Sequence, residues 1–243
     1  MVAAGRRVIL LEEFQPSTFA DALRFIGDNP GFLATKALEQ LELAGAALLV
    51  ALVVALPAGV LLGHIHRGSS VAIGASIMGR ALPSLVLIGV FLTVLGIGFV
   101  NNMVALAVLA TGPILTNSYD AVDGVDRDAV ESARGMGMTS RQLLWRIELP
   151  LAIPLLFTGI RVAAVTVVAT APIAAIAGGG GLGDVIVNQA SYRLPGVLGA
   201  SLCVMALSAG VFVALNVLQK AVTPRGLRAT RVPRKATPRK EML

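Results

Sequence analysis

Glu131-Ser132-Ala133-Arg134-Gly135-Met136-Gly137, followed after nine residues by Ile147-Glu148-Leu149-Pro150, is the polar interruption in a strongly apolar chain. A lipid interior cannot satisfy such a segment, so it must face water or a partner. Asp128 is followed three residues on by Glu131, and Thr139 by Gln142. Each pair has the spacing of a capping box, which predicts two short helices separated by a break at Gly135 and Gly137. In the second helix Leu143, Leu144 and Ile147 cluster on one side, while Arg141, Arg146 and Glu148 fall mostly elsewhere. Pro150 opens a new apolar run at a position where its missing N–H costs least. The expected object is a helix-glycine-helix knob with one apolar stripe, hung between two membrane crossings.

Composition supplies the membrane. The 243 residues are 56% hydrophobic and 14% charged, with a mean hydropathy of +0.80, which excludes the soluble class. Residues 43–63 are 21 positions without a charge, enough to cross about 30 Å of hydrocarbon. Residues 81–119 are 39 positions without one, about 58 Å as a single helix, so this run must fold back. Gly96-Ile97-Gly98 and Asn101-Asn102 supply the turn and divide it into crossings at 71–96 and 102–119. Further crossings at 151–177 and 197–219 complete an all-α polytopic membrane protein of about five transmembrane helices. Residues 1–36 form an N-terminal extracytoplasmic, interfacial segment ending in the turn Asn29-Pro30-Gly31. Residues 37–222 form the membrane domain with its 120–150 loop, and 223–243 a basic tail.

The formal charge of +6 is concentrated at the C-terminal end. From Lys220 onward eight bases face only Glu241, a net of +7 that leaves the rest of the chain at −1. A basic tail after a crossing reads as a topology determinant and a contact for the anionic bilayer surface, not as a nucleic-acid site. It sets the C-terminus in the cytoplasm. Five crossings then put the N-terminus outside and the 120–150 loop inside. Arg80, with Pro83 and Ser84 just after it, and Arg161, about ten residues into its crossing, are candidate pathway or interface residues. His64 and His66 read as end residues reaching the interface beside Arg67. Cys203 reads as a small packing residue, and Glu12 and Glu13 cut short the apolar stretch a cleavable signal would need.

Several chemistries lack their residues. A phosphate-wrapping Gly-Lys-Ser/Thr is missing, since the four lysines are followed by Ala, Ala, Ala and Glu. Gly178 to Gly183 contains G-x-G-x-x-G, but an apolar helix precedes it where a dinucleotide site needs a strand; a flexible connection at the outer mouth is expected instead. The pattern offers no catalytic set, no metal cluster and no cofactor of the chain's own.

The motif itself, Glu131-Ser132-Ala133, three residues, Gly137, nine residues, Ile147-x-Leu149-Pro150, resembles the EAA signature (E-A-A-x3-G-x9-I-x-L-P) of binding-protein-dependent ABC importer permeases. The only departure is Ser132 for Ala. The resemblance implies that 120–150 is a coupling loop seated in a groove of a cytoplasmic ABC ATPase, with Glu131, Ser132, Ala133, Gly137, Leu149 and Pro150 in the signature and the Leu143, Leu144, Ile147 stripe filling that groove. It implies a type I importer permease in a bacterial inner membrane, an ATPase dimer that holds the ATP, a second permease copy or paralogue, and an extracytoplasmic substrate-binding protein. Ala174-Ala175-Ile176-Ala177 and the glycines through Asp184 are similar to the osmoprotectant branch, which handles glycine betaine, choline, carnitine or proline betaine. An amino-acid or methionine permease is the alternative within the class. An ion-coupled secondary transporter or a non-transporting scaffold lies outside it; the former is disfavoured because Arg80 and Arg161 stay charged and make poor proton relays.

Overall fold

A computed structural model describes residues 16–72, 74, 77 and 83–223, and its regular structure there is helical throughout. The elements are α1 (Pro16–Asp28), α2 (Pro30–His64), α3 (Ser84–Leu95), α4 (Phe99–Asp123), α5 (Arg127–Gly135) and α6 (Ser140–Leu143). A π-helical turn (Leu144–Glu148), α7 (Leu149–Thr170), a 3-10 helix (Ala171–Ala177), α8 (Gly183–Val187) and α9 (Gln189–Val222) follow. Four helical runs among the described residues are long and apolar enough to cross a membrane: Pro30–His64, Phe99–Asp123, Ser140–Ala177 and Gln189–Val222. α3 is a shorter apolar helix.

Asn29 and Pro30 break the chain where the sequence suggests. Pro30 takes the first turn of α2, and Asn29 turns its amide back onto the Phe25 carbonyl at 3.0 Å. α2 then runs 35 residues, starting 13 positions before the expected 43 and passing position 36 without a break. At about 52 Å it outruns the hydrocarbon, so Lys36, Glu39 and Glu42 ride on its first turns. Lys36 Nζ lies 2.8 Å from both Glu39 and Asp184, which satisfies charges that hydropathy alone reads as a boundary.

The core is built from small residues. Ala44, Ala47, Ala51 and Ala55 on α2 meet Ala105, Ala110 and Ile114 on α4 and Ala163 and Val167 on α7. A Cβ on Gly59 would stand 2.6 Å from the Leu115 carbonyl, and one on Gly63 2.8 Å from that of Tyr119. The two glycines therefore let α2 lie flush on α4, running parallel to it. Gly159 of α7 makes the same approach to Asn117 on the other side of α4. α9 packs on α7 and α1; Tyr192 stacks on Phe32 at 5.8 Å and meets Phe25 edge-on.

The remaining boundaries shift for local reasons. Gly96 and Gly98, at φ 75° and 136°, form the expected turn, and α4 starts at Phe99 and extends to Asp123. Only α3 is described within the expected 71–96 crossing as a continuous helix; Arg80 lies outside the described residues. The expected 151–177 crossing has no separate start, because α6, the π turn and α7 are one continuous helical run that tightens to 3-10 at Ala171. The expected 197–219 crossing is longer, as α9, and is kinked at Arg193 ahead of Pro195. The glycine run is not a loose connection: Gly178, Gly180 and Gly181 hold φ near 70–80°, and the Gly181 N–H donates to Glu39 at 3.0 Å. A Cβ on Gly181 would meet Gln40 at 3.1 Å, so glycine serves both backbone and space there.

Candidate functional site

The knob is assembled by local rules. Asp126, not Asp128, caps α5, its carboxylate accepting the Asp128 N–H at 3.0 Å. α5 ends in a Schellman turn: the Met138 N–H donates to Ala133 and the Gly137 N–H to Arg134. Gly137 occupies the left-handed position at φ 83°, so the break falls there; Gly135 is the last helical residue. Thr139 and Gln142 form the capping box that their spacing predicts.

Pro150 explains the π turn. Having no N–H, it cannot donate to the Arg146 carbonyl, and its ring crowds that carbonyl. The ladder slips one residue just before it, with the Leu149 N–H donating to Leu144. Leu149 and Pro150 are half-buried at the base of α7.

The stripe lies on the inner side of the knob. Leu143 packs against Val130 and Ala133 of α5, with Ile147 beside them. Leu144 packs with Val60, Val122, Ala152 and Leu156 at the inner ends of α2, α4 and α7. Leu143 and Leu144 are thus buried within the chain and Ile147 is half-buried, so the stripe holds the knob to its own body where the expectation had it fill a partner's groove. The face turned outward carries Glu131, Ser132, Arg134, Met136 and Gly137 on one half. On the other, Thr139, Arg141, Gln142, Trp145 and Arg146 line an open concavity of about 460 Å³. Met136 is 73% exposed and Trp145 64%.

Glu148 was assigned no role by its position off the stripe, yet it is 2% exposed. Its carboxylate stands 2.5 Å from Nδ1 of His64, whose Nε2 stands 2.7 Å from the Ser140 hydroxyl. His66, at φ 49°, makes a parallel contact to Asp123 at 2.7 Å. The two histidines are thus joints between elements, not side chains reaching for the interface. No periodicity signals a pair 84 positions apart; the one available sign was a Glu two residues ahead of a helical Pro.

Of the other candidates, Pro83 is exposed as the cap of α3, and Ser84 is its first residue. Arg161 donates from Nη2 to Gln219 and lies 5.2 Å above the Phe212 ring, while Gln219 donates on to the Pro154 carbonyl at 3.1 Å. It joins α7 to α9.

Known proteins match this arrangement. The sequence pattern of the family described as "Binding-protein-dependent transport system inner membrane component" covers residues 55–226. The glycine betaine/carnitine/choline transport system permease protein OpuCB of Bacillus subtilis is 35% identical over 84% of this chain and 95% of its own length. The carnitine transport permease protein OpuCB of Listeria monocytogenes is 36% identical over 85% and 95%. The osmoprotectant import permease protein OsmW of Salmonella typhimurium is 31% identical over 86% of this chain and its full length. Among solved structures, an inward-facing form of the MetNI methionine ABC transporter superposes with a TM-score of 0.68 at 22% identity, over 79% of this chain and 96% of that one. With the family pattern covering most of the chain, capped helices, left-handed glycine and π turn included, this chain belongs to the binding-protein-dependent transport system inner membrane component family.

Proposed function

We propose that this chain is the permease subunit of an ATP-driven importer of osmoprotectants of the glycine betaine, choline, carnitine or proline betaine kind. Relatives named for glycine betaine, carnitine and choline, for carnitine, and for osmoprotectants span nearly their full length on this chain, which supports the substrate class. ATP is bound and hydrolysed on a separate ATPase dimer, a second permease copy or paralogue completes the path, and an extracytoplasmic binding protein delivers the solute. The N-terminus lies outside and the C-terminus in the cytoplasm, in keeping with the basic tail.

The observation that carries the coupling role is the outward face of the knob. Met136 and Trp145 stand exposed on the two halves of the knob, as do the signature residues Glu131, Ser132 and Gly137, while the apolar stripe is occupied within the chain. The exposed pair is the natural anchor in an ATPase groove, with Arg141 and Arg146 at its rim. The stripe, Ala133, Leu149 and Pro150 keep the knob rigid, so that displacement of the ATPase reaches α7. The deciding test is ATP-dependent uptake of labelled glycine betaine by proteoliposomes holding the whole complex. Uptake that requires an intact ATPase active site supports the assignment. ATP hydrolysis with no betaine movement removes the substrate, and failure of any ATPase to copurify removes the coupling role.

A further inference from the structure

We propose that His64 is a positioning residue of the transport cycle, a strut that makes the inner end of α2 move with the knob as one body. This rests on the permease reading above and extends it to a helix that the signature does not touch.

The geometry is specific. His64 is the last residue of α2, and both its ring nitrogens are engaged by the helical run that starts in the knob: Nδ1 by buried Glu148, Nε2 by Ser140. With Glu148 as its carboxylate, the oxygen accepts and Nδ1–H donates. The serine hydroxyl either donates or accepts, so the bridge closes whether or not Nε2 is also protonated. Glu148 ends the π turn, and Ser140 begins α6. The imidazole therefore spans the knob's second half from its first residue to its junction with α7.

Three further contacts make α2 a body worth moving. His66 joins Asp123 at the end of α4, Gly59 and Gly63 lock α2 against α4, and Val60 packs with Leu144. A displacement of the knob is thereby delivered to α7 through the chain, and to α2 and α4 through His64. Among the described residues the imidazole adds a directional, hydrogen-bonded link between the knob and α2 to the apolar packing of Leu144 on Val60.

The test uses the complete complex in proteoliposomes with His64→Phe, which keeps a ring and loses both hydrogen bonds, His64→Ala, and Glu148→Gln, whose amide oxygen still accepts from Nδ1–H. Two quantities are read: betaine moved per ATP hydrolysed, and the distance between spin labels at Leu61→Cys and Arg127→Cys in a Cys203→Ser background. Labelled permease is diluted so that each complex carries one labelled copy. The native complex is expected to give one narrow distance, the same without nucleotide and after vanadate trapping. In His64→Phe and His64→Ala this distance broadens or shifts on trapping, and transport per ATP falls about tenfold with hydrolysis retained; Glu148→Gln stays near native. A native distance that changes on trapping overturns the proposal, even if both His64 variants fail to assemble. So does a native transport ratio in an assembled His64→Phe complex. If the native complex hydrolyses ATP without moving betaine, the substrate assignment fails while the distance measurement still decides the strut.

Discussion

Gly137 and Gly135, two residues apart, are held by different demands, and substitution separates them. Gly137 is left-handed with nothing within 4 Å of where a Cβ would be, so its constraint is conformational alone. Gly137→Leu should cost about 1–2 kcal/mol of knob stability and lower ATPase binding, read by copurification. Gly135→Ala, at a helical position with open space, should stabilise by about 0.5–1 kcal/mol, seen as a raised melting temperature of the detergent-solubilised complex. Trp145→Ala should leave the melting of the chain unchanged, because the indole is largely exposed, yet weaken ATPase binding about tenfold or more. The capping box of Thr139 and Gln142 and the glycine break were legible in sequence, since both obey spacing rules a few residues long. The side of the helix that faces outward was not. Leu143, Leu144 and Ile147 mark an apolar face without saying whether chain or partner covers it.

At the scale of elements, helix existence was legible and helix ends were not. Gly59 and Gly63, four residues apart on one helix face, leave room for a close helix approach, and α4 occupies it. Leucine at Gly59 or Gly63 must push against backbone carbonyls, so either change should destabilise by about 1–3 kcal/mol. Gly45→Leu, on the same helix with nothing within 4 Å, should be tolerated; thermal unfolding of the three variants in detergent checks the contrast. Hydropathy marks where charges begin, which is not where a helix stops: Lys36 and Glu39 lie inside α2 because Asp184, 148 positions from Lys36, joins the pair. Composition likewise suggests a loose glycine run, since it does not display Glu39 and Gln40 waiting to receive Gly181. The π turn escaped too, although Pro150 is its cause, since a proline near a helix start ordinarily predicts a fresh start.

For the molecule as a whole, the contacts sort into two ends. One holds the turn at Gly98, the Gly181–Glu39 bond and the Lys36–Asp184 pair; the other holds His64, Glu148, Asp123 and the knob. If the basic tail sets orientation, a cysteine at exposed Ser191 should react with a membrane-impermeant maleimide added outside intact cells, in a Cys203→Ser background. A cysteine at exposed Arg67, in the turn after α2, should react only after permeabilisation. The reverse pattern would invert the topology. One consequence of the unbroken run from Ser140 to Ala177 concerns amplitude. Its 38 residues measure about 57 Å, so a tilt of about 5° at the knob end sweeps the opposite tip through about 5 Å. If the knob seats in an ATPase as proposed, this run is a lever arm, in which a displacement too small to unseat Trp145 is geared up into an opening wide enough for a small solute.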